Sequence, residues 1–329
     1  MLILLRRRLD YVKYLLGLRK SVHIFNNTPA PKQISILIPD SLGDIAINSS
    51  ITQYFKSCFP GVKITLITHP KYLKAGYFNP NYDLLMEYPT HYLVFQPWEL
   101  TYENQCKIAQ EVTPHMDRLY LCQPSAWCDH LVPKFTMLEL QNHLCKIPGK
   151  DRFLPKLRIP EQYQKKAEQF RAGLRAPVFL IARQAYTATY NNRVCEYWRR
   201  LTEYCVHKGL TILDNSKEPA VKHQRCLPVG EMPLPEIIAL ANLCDGVMAL
   251  RSGLCDLVGF STRCPQYVIH PCGFYPFSRT TFLAWSSLVK MGADFVEEHE
   301  NSFTEAADVE IELDRSREWL LSRLANYGL

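Results

Sequence analysis

No apolar run in this sequence is long enough to cross a membrane. Its 329 residues are 47% hydrophobic, but polar residues interrupt them well short of the ~20 that a spanning helix needs. Met1 to Leu5 is too short for the core of an export signal, and its charges follow the apolar residues instead of preceding them. Neither export nor insertion is expected, which points to the cytoplasm. The twelve cysteines include no Cys-x-x-Cys spacing and no Cys/His set of zinc type, so neither a metal centre nor a disulfide framework is expected. They read as reduced thiols packed as small hydrophobes, and none is assigned as a nucleophile. Low-complexity tracts and short repeats are missing too. A net charge of only +6, with acidic residues between Asp294 and Glu318 offsetting a basic start, and no recognisable module, argue against nucleic acid.

What is present begins at Ile34. Ile34 to Ile38 is a β-branched run suited to a parallel strand covered on both faces, and Pro39 ends it. From Ile45, Ile47, Ile51, Tyr54, Phe55 and Cys58 recur at helical spacing. Phe59-Pro60-Gly61 stops that pattern before a second strand, Val62 to Thr68. In such a βαβ unit the turn after the first strand opens at the carboxyl edge, where ligands bind. Gly43 in that turn lets a ligand approach the backbone closely. Asp44 either projects into the crevice or serves only to cap the helix, a position that Asp favours.

The second half repeats the theme. Val178 to Ala182 is a buried strand, followed by the polar segment Arg183 to Arg193 and a helix from Val194 to His207 closed by Gly209. Leu210 to Leu213 returns as a strand. A helix over Glu236 to Leu243 precedes the strand Gly246 to Leu250, the turn Arg251-Ser252-Gly253 and a helix from Leu254 to Phe260. Arg183, Arg193 and Arg251 thus stand at strand-to-helix turns, where helix N-termini add backbone donors. The combination suits a diphosphate, because the guanidinium fork matches phosphate oxygens. Surface ion pairs are the ordinary alternative for each arginine.

This order of elements resembles the heptosyltransferase-like glycosyltransferases. Ile36-Leu-Ile-Pro-Asp-Ser-Leu-Gly-Asp-Ile45 is similar to that family's opening strand and Gly-Asp turn, and Phe59 to Thr68 to its second strand. Leu157-Arg-Ile-Pro160 resembles the entry to its second domain. Leu234 to Ala249 is similar to the helix and strand that precede its donor turn. The resemblance implies an α/β chain of GT-B architecture, two Rossmann-like domains facing across a cleft, here 1–150 and 151–329. It also implies Asp44 as general base, Arg193 near a residue that contacts the donor phosphates, and Ser252 and Gly253 in the donor turn. The family's turn begins with Asp and carries His four residues after the Ser. This chain has Arg251 and Asp256 at those places, which favours an anionic group against Arg251 and lets Asp256 hold sugar hydroxyls, or act only as a first-turn acid facing the helix dipole.

The resemblance therefore implies a nucleotide-sugar donor bound through Arg183, Arg193, Arg251, Ser252, Gly253 and Asp256. The acceptor would be a lipid-linked or oligosaccharide glycan of lipopolysaccharide or capsule type, and transfer would be inverting, with neither metal nor cofactor. A sugar-nucleotide epimerase or hydrolase, or a non-catalytic nucleotide-binding scaffold, are the alternatives. Residues 1–20 carry Arg6, Arg7, Arg8, Lys13, Arg19 and Lys20 beside a leucine-rich face. This pattern suits peripheral contact with the inner face of the cytoplasmic membrane, or packing on the protein's own domain. The aromatics from Tyr77 to Trp98, Phe95 among them, are expected to pack as core. Asp314 is expected to start a terminal helix.

Overall fold

A computed structural model describes residues 31–39, 41–94, 100, 102–122, 135–145, 147–184, 191–272 and 281–327, together with Val12. The basic face expected over residues 1–20 lies, Val12 excepted, outside the described residues, as do Phe95, Trp98, Cys128 and positions 185–190 of the polar segment. Among the described residues no helix is long and apolar enough to cross a membrane. The described residues up to Arg158 form one compact unit, and those from Ile159 form a second.

The first unit is built on strands β1 (Gln33–Ile38), β2 (Lys63–Thr68), β3 (Leu84–Glu87) and β4 (Arg118–Leu121). They form one parallel sheet in the order β3-β2-β1-β4. All of β1 after Gln33 is buried, as its near-continuous apolar sequence requires of a strand covered on both faces. Helix α1 (Leu42–Ile47) follows β1 at once, and α2 (Ser49–Cys58) follows α1. The single helix expected from Ile45 to Cys58 is therefore two, parted at Asn48. Gly61, with φ 81°, makes the left-handed turn into β2. Helix α3 (Tyr102–Val112) precedes β4, and α4 (Met137–Leu144) comes after it.

The second unit opens with α5 (Glu161–Ala172) and β5 (Val178–Ala182). Helix α6 (Asn192–His207) leads to β6 (Thr211–Asp214) and β7 (Cys226–Pro228). Then come α7 (Leu234–Ala241), β8 (Gly246–Leu250), α8 (Gly253–Ser261) and β9 (Gln266–Pro271), with α9 (Phe282–Ser286), β10 (Val296–Asn301) and α10 (Ala306–Leu324) closing the chain. The six strands run parallel in the order β10-β9-β8-β5-β6-β7. As expected, Gly209 closes α6: its N–H reaches Val206 O and that of Leu210 reaches Cys205 O, with Gly209 at φ 80°, a Schellman ending. The apolar faces of α6 and α10 cover one side of the sheet, with Trp198, Tyr197 and Trp319 packed around Phe179 and Tyr267.

The terminal helix begins earlier than expected. Glu305 is its N-cap and forms a reciprocal capping box with Asp308, whose carboxylate also accepts from Thr304 N and Ser302 Oγ. These backbone and hydroxyl donors hold the Asp308 carboxyl down at about 2. The described cysteines are all free thiols, and among those described residues no His/Cys/Asp/Glu cluster of metal-binding form occurs. Of the aromatic stretch, Phe78 and Tyr88 are buried whereas Tyr77 is exposed.

Candidate functional site

Strand order fixes where each sheet can hold a ligand. In the first unit the chain passes from β1 to β2 to β3 on one side and then returns to lay β4 on the other side of β1. In the second it runs β5, β6, β7, then places β8 against the free side of β5 and continues outward. Each sheet therefore reverses direction once, between β1 and β4 and between β5 and β8. In open parallel sheets such reversals are where a ligand crevice forms, outside the carboxyl ends of the paired strands.

Asp44 stands at the first of these points. It belongs to the opening turn of α1, directly after β1, and is only 3% exposed. It does not cap the helix: Ser41 occupies the N-cap, at φ 73°, and Asp44 is the third helical residue. Its Oδ1 accepts 3.0 Å from Gln141 Nε2. Gln141 lies on α4, the helix beyond β4, so both flanks of the reversal meet at this carboxylate. Gly43 is buried beside it.

The turns after β5 and β8 flank the second point. Ala182 pairs with Ala249 in the ladder, so Arg183 and Arg251 leave adjacent strands at the same edge. Two of the three arginines are already engaged. Arg183 Nε lies 3.0 and 2.9 Å from the oxygens of buried Asp214, and its Nη2 donates to Glu218 O at 2.6 Å. Arg251 and Asp256 meet fork to fork at 2.7 and 2.8 Å, both buried. Burial pushes the Asp256 carboxyl up and the Arg251 charge pulls it back. Arg251 also donates to Ser286 O and Ser252 O, which ties α9 to the start of α8.

Arg193 differs. It is the second residue of α6, half-buried, and among the described residues no hydrogen bond or ion pair engages its guanidinium. Asn191 caps that helix by accepting from the N–H groups of Arg193 and Val194, and its own amide donates to Phe303 O. At the neighbouring turn Ser252 is the N-cap of α8 and Gly253 its first residue, with no side-chain cap bond from Ser252. Two helix starts, one cation and the first-turn amides thus stand at one sheet edge, an arrangement that can hold phosphate oxygens.

Sequence reasoning missed a polar cluster beneath this turn. His270 on β9 is fully buried and its Nε2 lies 2.9 Å from Glu298 Oε1. Glu298 also accepts from Ser287 Oγ and the N–H groups of Leu288 and Val289, so one β10 carboxylate orders the segment after α9. Burial alone would raise the Glu298 carboxyl, but the bonds from His270, Ser287 and Leu288 outweigh it and hold it low. Burial pushes His270 below its ordinary 6.5, so the folded protein keeps a neutral imidazole while the unfolded chain takes up a proton. Stability is therefore expected to fall as pH drops through that value, with the Glu298 contribution lost only at lower pH. The melting temperature between about pH 7.5 and 5.5 checks this, and His270→Gln should flatten its slope. The signals missed were a histidine inside the apolar run of β9 and, for Gln141, an amide on the apolar face of α4.

No protein-family model and no curated protein matches the chain. Solved structures do. ADP-heptose lipopolysaccharide heptosyltransferase II of E. coli is 14% identical and superposes with a TM-score of 0.63, over 90% of this chain and 100% of that one. The family 9 glycosyl transferase from Veillonella parvula is 14% identical with a TM-score of 0.58, over 82% and 86%. The E. coli heptosyltransferase WaaC with ADP is 12% identical with a TM-score of 0.55, over 87% and 98%. The chain has the GT-B fold of the heptosyltransferase-like glycosyltransferases, two Rossmann-like units each with a parallel sheet.

Proposed function

We propose that the protein is a glycosyltransferase that moves a sugar from a nucleoside-diphosphate donor to a glycan hydroxyl. The observation that carries this reading is the placement of chemistry at both chain reversals: a held carboxylate in the first sheet, and a cation with two helix starts in the second. The fold likeness supports it, since the WaaC structure was obtained with ADP.

In this reading Asp44 removes the proton from the acceptor hydroxyl as it attacks the anomeric carbon, and the displaced diphosphate carries away the bonding pair. Arg193 and the amides at Ser252 and Gly253 meet the charge that grows on that diphosphate. Arg183 and Arg251, matched by Asp214 and Asp256, act on the donor by fixing the two turns and by their residual field. Asp256 then holds Arg251 in place of sugar hydroxyls. A single in-line displacement inverts the anomeric centre, and no step calls for a metal or cofactor. A lipopolysaccharide- or capsule-type acceptor, and membrane contact through residues 1–20 at the cytoplasmic face, belong to the same reading and rest on the sequence.

A thermal-shift panel of ADP, UDP, GDP and CDP tests the donor site. At a hundredfold excess over its dissociation constant a nucleotide stabilises the native state by about 2.7 kcal/mol, a rise of roughly 5–10 °C for a unit of this size. Arg193→Ala should weaken the nucleotide that shifts the protein by roughly 10–150-fold, the worth of one charge-assisted hydrogen bond. No shift with any of the four would remove the donor assignment. Incubation with donor alone separates a transferase from a hydrolase or an epimerase, which need no acceptor.

A further inference from the structure

A chain of hydrogen bonds, buried up to its last member, leads away from Asp44 through the break between α1 and α2. Gln141 Nε2 donates to Asp44 Oδ1 at 3.0 Å and leans on Asp44 O at 3.4 Å. Gln141 Oε1 accepts from Asn48 Nδ2 at 3.4 Å. Asn48 Oδ1 accepts from Tyr82 Oη at 3.1 Å. Asn48 and Gln141 are both fully buried, so neither amide can exchange these partners for water, and a buried polar group left unmatched is costly.

The chain has one direction. An ionised carboxylate only accepts, so Gln141 must present its NH2 to Asp44 and its oxygen to Asn48. Asn48 must then present its NH2 to Gln141 and its oxygen to Tyr82, which has to donate. Tyr82, half-buried, is suited to this: burial pushes its phenol up, so it keeps its proton. Each amide flip that would break the series leaves two like groups facing each other.

Asn48 also parts the two helices, since it is the one residue between α1 and α2. Asn48 lies one turn beyond Asp44, with its N–H on Asp44 O at 3.0 Å, and so presents its amide on the same side of the chain as the carboxylate. We infer that Gln141 is the positioning residue of the Asp44 carboxylate, with its orientation set through Asn48 by the Tyr82 hydroxyl. This rests on the reading of Asp44 as base and adds what aims it.

Two measurements test it. Gln141→Leu keeps the volume and removes both amide functions. With ADP-heptose as donor probe and a lipid-A-type oligosaccharide acceptor, kcat should fall roughly 10–100-fold, the cost of a misdirected group, with donor KM unchanged within twofold. Tyr82→Phe, a milder change, should lower kcat severalfold in the same sense. Unchanged kcat in Gln141→Leu, or equal loss of donor affinity, overturns the inference. The second measurement needs no turnover: the side-chain amide signals of Gln141 in 1H–15N spectra should move on Asp44→Asn and on Tyr82→Phe. Signals that stay fixed overturn the relay even if Asp44 proves essential. Moving signals with an active Asp44→Asn enzyme would instead leave the relay standing and remove the base.

Discussion

Asp44→Asn is expected to lower transfer by roughly 10²–10⁴-fold, the usual worth of a positioned general base, while leaving the fold and nucleotide binding intact. The separation follows from geometry. Asn keeps an Oδ1 that can accept from Gln141 Nε2, so the 3.0 Å bond survives, and the side chain still fills its nearly closed site. What disappears is the ability to take a proton. Helix α1 should not suffer, because Ser41, not residue 44, occupies its N-cap. Initial rates beside a nucleotide thermal shift make the comparison. A variant that melts far lower, or loses nucleotide binding in parallel, would show that the carboxylate supports structure and not proton transfer.

The second large effect is on stability. Arg251→Met should destabilise the second unit by about 3–5 kcal/mol, the typical result of removing one partner from a buried ion pair. Asp256 is 1% exposed and its described charge partner is Arg251, so its carboxylate would be left without compensation. Roughly 6–20 °C should be lost from the melting temperature. Arg251→Met with Asp256→Leu should recover most of that loss, since well-packed apolar residues often replace a buried pair without cost. Nucleotide binding should not recover with it, because the bonds from Arg251 to Ser286 O and Ser252 O hold the turn at the start of α8. A double variant that melts and binds as the parent would show the pair to be dispensable.

Five of the described strands were legible from the sequence almost to the residue, β5 and β8 being the expected Val178–Ala182 and Gly246–Leu250, whereas β3, β4, β7, β9 and β10 were not read. A strand buried on both faces has a continuous apolar sequence, and little else looks like it. Helix ends were harder. Asn48, at the break, bonds Gln141, 93 residues away, and Tyr82, 34 away, and no local pattern reports such partners. The terminal helix was misplaced because the capping acids Glu305 and Asp308 precede its apolar stripe. For the candidate arginines the positions at the strand ends were readable and their partners were not. Arg183 looked like a free cation until the sheet brought Asp214 beside it from the adjacent strand. The Arg251–Asp256 pair lay within five residues, and spacing alone did not reveal that the two side chains turn toward each other.

All ten strands among the described residues run parallel within their sheets, so the strand-to-helix exits of a unit emerge on one rim, while the return connections collect on the other. Replacement of an exit loop there reaches the interior only where the loop sends a side chain inward, as Arg251 does toward Asp256. Chemical diversity in such a protein can therefore accumulate along a single border, and chains that share 14% of their residues still superpose. For redesign, the turns after β5 and β8 can be exchanged only with Arg183 and Arg251 kept, because their buried carboxylate partners, Asp214 and Asp256, belong to the scaffold.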